Sequence, residues 1–228
     1  MGSVSVVSAI NRTLADEWAL FASSKLNVAP SQLVVIPRYY MDEGEIGDLN
    51  VLIANNATRS PQAKALRLST GVTAAASIHV ADAPRQVADR TPRTVPTGAA
   101  EKVLFVARQR INGPAASTAR LGCGLFDSAT SRNLLMGVNG DVSAANFTCF
   151  GASGVSINSG LAIDAAWRTH VYWRDGANGF YQIDSLAPVA GTARVLNDSY
   201  RCAHALDSAG GTDRTVDFAW SFIAVVSP

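Results

Sequence analysis

Trp167-Arg168-Thr169-His170-Val171-Tyr172-Trp173-Arg174-Asp175-Gly176-Ala177-Asn178-Gly179-Phe180-Tyr181-Gln182-Ile183-Asp184 is the stretch that decides the fold. Successive side chains of a strand point to opposite sides of its sheet, so Trp167, Thr169, Val171 and Trp173 share one face while Arg168, His170, Tyr172 and Arg174 share the other. One face is expected to pack and the other to meet water or a partner. Asp175 to Gly179 offers residues that tolerate positive φ and reverses the chain into a return strand, Phe180 to Asp184. A strand from Thr215 to Phe222 alternates again. There Val216, Phe218, Trp220 and Phe222 are expected on one face and Thr215, Asp217, Ala219 and Ser221 on the other.

Outward from this hairpin the β signal continues. Val103 to Arg108, Leu121 to Phe126, Asn133 to Val138, Asn146 to Phe150 and Gly154 to Ile157 read as short strands separated by Gly, Asn, Asp and Ser clusters. Many short strands with little helix predict an all-β antiparallel sandwich of the jelly-roll kind, and no fixed-period repeat suggests a propeller or solenoid. Earlier apolar runs lie at Leu33 to Ile36 and Leu49 to Ile53, on either side of the acidic, Gly-containing stretch Asp42 to Asp48. One helix is expected near the start, with Thr13 as a cap and Leu14, Trp18 and Phe21 at helical spacing. It either plugs an end of the sandwich or acts as a docking arm that carries Trp18 and Phe21 to a neighbouring subunit. Residues 1–30 thus read as an arm and 31–228 as the sandwich, interrupted at 81–100 by a loop with Pro84, Pro92, Pro96, Arg85, Arg90 and Arg93. That loop either pairs its arginines with carboxylates of an adjacent subunit or lies solvated on the surface.

The chain has 228 residues, of which 48% are hydrophobic and only 16% charged, with 19 Lys+Arg against 18 Asp+Glu. A near-neutral balance argues against nucleic-acid binding, which needs a basic footprint. Cys123, Cys149 and Cys202 cannot all pair, and none has zinc-knuckle or redox spacing, so they read as buried thiols. The start, Met1 to Val6, lacks a secretion signal and carries no myristoylation pattern, and no apolar run spans a bilayer. No membrane partner is therefore expected. The sequons at Asn11, Asn56, Asn146 and Asn197 carry no weight without secretion.

Three stretches together resemble the concanavalin A-like lectin/glucanase sandwich, also called the LamG-like jelly roll. They are Phe105-Val106-Ala107-Arg108 leading to Leu121-Gly122-Cys123-Gly124-Leu125-Phe126-Asp127, the Trp167 to Gly176 strand, and Gly179-Phe180-Tyr181-Gln182-Ile183-Asp184. The resemblance covers residues 101–228 and implies a curved sandwich that often binds glycans. Similar modules occur in virion proteins of tailed phages. The glucanase branch sets carboxylates on one strand, and retaining hydrolysis needs them about 5–5.5 Å apart. The Asp42 to Asp48 stretch does not supply such a strand, so no catalytic residue and no enzymatic activity are expected.

His79, His170 and His204 are far apart in sequence, and no serine sits in a nucleophile elbow. Asp175, Asn178 and Asp184 offer oxygens as calcium-binding loops do, but a turn explains them, and no metal or cofactor is expected. The face of Arg168, His170, Tyr172 and Arg174, joined by Arg108 and Arg110, is the candidate surface for a ligand or partner. Two functions fit these features. The first is a structural module of a virus particle, made in the host cytoplasm and partnered by other virion proteins and copies of itself. The second is a lectin-like module that recognises a cell-surface polysaccharide.

Overall fold

The computed structural model describes residues 6–39, 49–62, 64–82, 102–112, 119–126, 132–151, 156–193, 200–207 and 211–226. Among them stand one α-helix, α1 (Val6–Leu26), a 3-10 turn at Pro30–Gln32, and fifteen strands. The first five strands are β1 (Leu33–Tyr39), β2 (Leu49–Ala54), β3 (Thr58–Gln62), β4 (Ala65–Ser69) and β5 (Ala76–Asp82). Then come β6 (Val103–Asn112), β7 (Ala119–Phe126), β8 (Arg132–Asn139), β9 (Asn146–Phe150) and β10 (Ser156–Ala162). The last are β11 (Arg168–Asp175), β12 (Asn178–Ile183), β13 (Val189–Thr192), β14 (Tyr200–Asp207) and β15 (Thr215–Val226).

These strands build two sheets. Sheet A runs β13-β12-β11-β6-β15-β4-β3, with β1 also on β15, and sheet B runs β10-β9-β8-β7-β14-β5-β2. The sheets stack face to face as an antiparallel jelly-roll sandwich, and strands from the first hundred residues enter both of them. Phe105, Tyr172, Tyr181, Phe218 and Ile223 of sheet A meet Leu121, Met136, Phe147 and Ile157 of sheet B in one core. Burying one such side chain contributes roughly 1.5–3 kcal/mol. Cys123 and Cys149 are buried inside this core, as expected, while the side chain of Cys202 lies outside the described residues. Sheet B closes tightly at its centre, where Gly122 faces Gly137 in register. A Cβ on Gly122 would stand 2.1 Å from the carbonyl oxygen of Met136, so only glycine permits that approach.

The last strand corrects one expectation. Between Phe218 and Trp220 the pairing with β6 slips, so that Phe218 faces Gln109 and Trp220 faces Arg108, leaving Ala219 as an extra residue. An inserted residue reverses the alternation beyond it. Val216 and Phe218 therefore point into the inter-sheet core, but Trp220 and Phe222 emerge on the outer face of sheet A, and Ile223 and Val225 take over the core positions.

That outer face is half apolar, and α1 covers it. Trp18, Ala22 and Leu26 recur every four residues and form one stripe of the helix. They pack on Leu104, Val106, Val171, Trp173, Phe222 and Ala224. Lys25, in the last turn, donates to Gln182 Oε1 at 2.6 Å and lies 4.8 Å above the Trp173 ring, where burial pushes its ammonium pKa down. Asn27 at φ 51° then ends the helix in the left-handed region. The helix thus lies on the sheet and does not plug an end of the sandwich.

Candidate functional site

Beyond the reach of α1 the same outer face turns polar. On β6 the side chains alternate, so Val103, Phe105 and Ala107 enter the core while Arg108 and Arg110 follow Leu104 and Val106 onto the outside. Register sets their neighbours: Arg108 stands between Thr169 of β11 and Trp220 of β15, and Arg110 stands beside Asp217, which in turn faces Arg67 of β4. Arg108 Nη1 donates to Thr169 Oγ1 at 3.0 Å and lies 3.6 Å from Asp184 Oδ1. The Arg110 guanidinium lies 5.2 Å from the centre of the Trp167 ring. The three arginine side chains are each about one-third exposed, at 31%, 33% and 34%.

Asp217 is the hub of this patch. Its fully buried carboxylate accepts Nε and Nη2 of Arg67 at 2.7 and 3.0 Å and Nε and Nη2 of Arg110 at 2.9 and 2.6 Å. Burial pushes its pKa up, but the hydrogen bonds from Arg67 and Arg110 outweigh that and hold the carboxyl below its ordinary value. A second carboxylate closes the patch at the start of β11. Asp184 takes a left-handed φ of 51° just past β12, which turns its side chain back to accept the Thr169 amide at 2.8 Å and Arg168 Nη1 at 2.9 Å. Arg168 also binds Asp164, whose carboxyl is held below its usual range by that hydrogen bond.

The expected outward line of Arg168, His170, Tyr172 and Arg174 is corrected. The alternation on β11 holds, but this face is the one turned to sheet B, and Val171 and Trp173 form the outer face beneath α1. His170, Tyr172 and Arg174 are all buried. His170 Nδ1 shares a 2.6 Å hydrogen bond with the Tyr181 hydroxyl, its ring meets Phe147 edge-on, and its Nε2 has no partner. Burial pushes the His170 imidazole down to about 3 and raises both Tyr181 and Cys149. Arg174 donates to the Gly176 carbonyl in the hairpin turn, and only Arg168, at the strand start, reaches the surface patch. Arg108 and Arg110, expected beside them, do share the sheet but sit on its opposite face.

The docking-arm reading is likewise corrected for Trp18, whose ring packs inside the chain, while Phe21 touches the same cluster and stays 36% exposed. Trp18 stacks on Phe222 at 5.0 Å and 11°, and Phe21 meets Phe222 edge-on at 6.4 Å. Arg85, Arg90 and Arg93, and the acidic stretch Asp42 to Asp48, lie outside the described residues apart from that stretch's flanking strands. Asp175 and Asn178 flank the two-residue hairpin turn, with Asp175 Oδ1 3.4 Å from Lys102 Nζ. Among the described residues no group of three or more His, Cys, Asp or Glu is set to hold a metal ion. Sequence reasoning passed over Arg67 and the role of Trp167, gave Asp217 a face but no role, and read Asp184 only as part of a turn. The available signal was Asp217 itself, a lone charge between Val216 and Phe218 in an otherwise apolar strand.

Chemically, the patch offers guanidinium donors, carboxylate acceptors at Asp184 and Asp164, and the half-buried indole of Trp167, while Trp220 at its edge packs against Trp18 of α1. Planar donors beside a flat apolar ring suit a hydroxyl-rich ligand.

No protein-family model matches the sequence, and no curated protein does. Solved structures match by fold. An alginate lyase, AlgAT5 from polysaccharide lyase family 7, superposes with a TM-score of 0.51 over 73% of this chain and 81% of its own, at 6% identity. Peanut lectin superposes with a TM-score of 0.53 over 86% of this chain and 99% of its own, at 13% identity. A protein of unknown function from Shewanella oneidensis MR-1, SO2946, superposes with a TM-score of 0.56 over 100% of this chain and 97% of its own, at 12% identity. At such identities the likeness is one of fold, the concanavalin A-like jelly roll. The lyase corrects the expectation that the chain is not an enzyme, since its architecture is shared with a polysaccharide lyase as well as with a lectin.

Proposed function

We propose that the chain recognises a glycan through the polar half of the outer face of sheet A. The observation that carries this reading is the convergence of Arg67, Arg108 and Arg110 with Asp184 and the indole of Trp167 on the part of the face that α1 leaves open. The fold shared with a lectin and a polysaccharide lyase supports it over a purely structural role in a virus particle. Arg108 is the anchor to test, because its guanidinium is held by Thr169 and Asp184 in the middle of the patch and stays partly exposed.

Screening the intact chain on a glycan array should identify a retained oligosaccharide. Arg108→Ala should then weaken its binding at least about tenfold, as removal of a central anchor does, with the melting temperature preserved. Incubation with the retained polysaccharide, followed for release of shorter fragments, separates recognition from cleavage at the same face. Binding unchanged in Arg108→Ala, or no retention on any array, would sink the reading.

A further inference from the structure

The Arg67–Asp217–Arg110 group is more than an ion pair. One buried carboxylate would be neutralised by one arginine, yet two guanidiniums hang on the Oδ2 atom of Asp217, at 3.0 Å from Arg67 Nη2 and 2.6 Å from Arg110 Nη2. The group therefore carries one net positive charge. Each guanidinium binds Asp217 through its Nε and Nη2 edge, and among the described residues no partner takes Nη1 of either. The Trp167 ring lies against Arg110, so the plane of that guanidinium is fixed from the side as well. Four N–H donors satisfy the buried carboxylate, as its desolvation requires, and that role leaves the outer edges of both guanidiniums over, each about one-third exposed.

We infer that Asp217 is a positioning residue which holds Arg67 and Arg110 as a preorganised site for an oxyanion, a carboxylate or sulfate group of the ligand. Guanidinium forks match planar or tetrahedral oxyanions through paired N–H donors. Holding both forks in place before the ligand arrives removes the ordering cost of two long side chains. The inference rests on the glycan reading for its biological ligand but not for the site itself, and small probes can test it separately.

The sign of one substitution separates positioning from charge. Asp217→Asn removes a negative charge beside the site, so a purely electrostatic role predicts tighter anion binding in the variant. Positioning predicts weaker binding. The experiment titrates the intact protein with inorganic sulfate and with acetate, against chloride at matched ionic strength, and follows the arginine Nε–H resonances by NMR. Saturable shifts confined to Arg67 and Arg110 are expected in the wild type, with affinity falling about tenfold in Asp217→Asn. Arg110→Lys, which keeps the charge and loses the fork, should show a similar fall and guards against an Asp217 variant that fails to fold. Shifts that do not saturate, or tighter sulfate binding in Asp217→Asn, would overturn the inference. On a glycan panel matched for backbone, preference for carboxylated or sulfated forms supports it and names the source of the oxyanion. Equal retention of neutral and charged forms overturns it while leaving the glycan reading intact.

Discussion

His170 should make the fold acid-sensitive well above the range where carboxylates titrate. The ring is fully buried against Phe147 and Tyr181, and burial lowers its pKa from 6.5 to about 3. As the pH falls below 6.5 the unfolded chain binds a proton that the native chain refuses, so stability declines until the pH reaches about 3, where both forms are protonated. Between pH 7 and pH 4 the loss is about 3 kcal/mol, at 1.36 kcal/mol per unit of difference. Urea unfolding followed by tryptophan fluorescence at several pH values measures it. His170→Phe removes the titration and leaves the Tyr181 hydroxyl without its partner, at about 1–3 kcal/mol in neutral solution. Because all other titrating groups are common to both proteins, the wild type's advantage over the variant should shrink by about 3 kcal/mol from pH 7 to pH 4, enough to cancel or reverse it. Stability curves that stay parallel over that window would refute the reasoning.

Two further outcomes follow from packing. Gly122→Ala puts a Cβ against the backbone of Met136 and should cost about 3 kcal/mol or more in urea unfolding, whereas Gly160→Ala, with nothing within 4 Å of the new atom, should cost only about 1 kcal/mol for its left-handed φ. Trp18→Ala removes the stack on Phe222 and uncovers Trp220, so about 2 kcal/mol of stability and part of the near-ultraviolet circular dichroism should be lost; an unchanged spectrum would place α1 elsewhere.

The sandwich was legible because strand periodicity is local. The Trp173–Phe180 register and the pairing of Tyr172 with Tyr181 lie within one hairpin that the residues announce, although its turn is Gly176 and Ala177 alone and not the whole of Asp175 to Gly179. Strands rich in alanine and serine announced themselves poorly. β5, reading Ala76-Ser77-Ile78-His79-Val80-Ala81-Asp82, and β4, reading Ala65-Leu66-Arg67-Leu68-Ser69, become strands because they complete sheets between stronger neighbours. The candidate site was half legible. Arg108 and Arg110 were named as sharing a sheet with the Arg168 line, which holds, but they sit on its opposite face, and Arg67 and Asp217 reach them only through pairings that span 150 and 107 residues of chain.

The amino-acid sequence by itself determined the alternation along β11, the hairpin that follows it, and a helix near the start, and hence a sandwich with one helix. Only the tertiary structure decided which face is covered and by what. Alternation is a property of the backbone and is silent about what lies above or below the sheet, so His170 and Tyr172 were as able to face water as sheet B. The slip at Ala219 is the sharpest case, for one unpaired residue sends Trp220 and Phe222 out to meet the helix and leaves Asp217 to gather two arginines beside them.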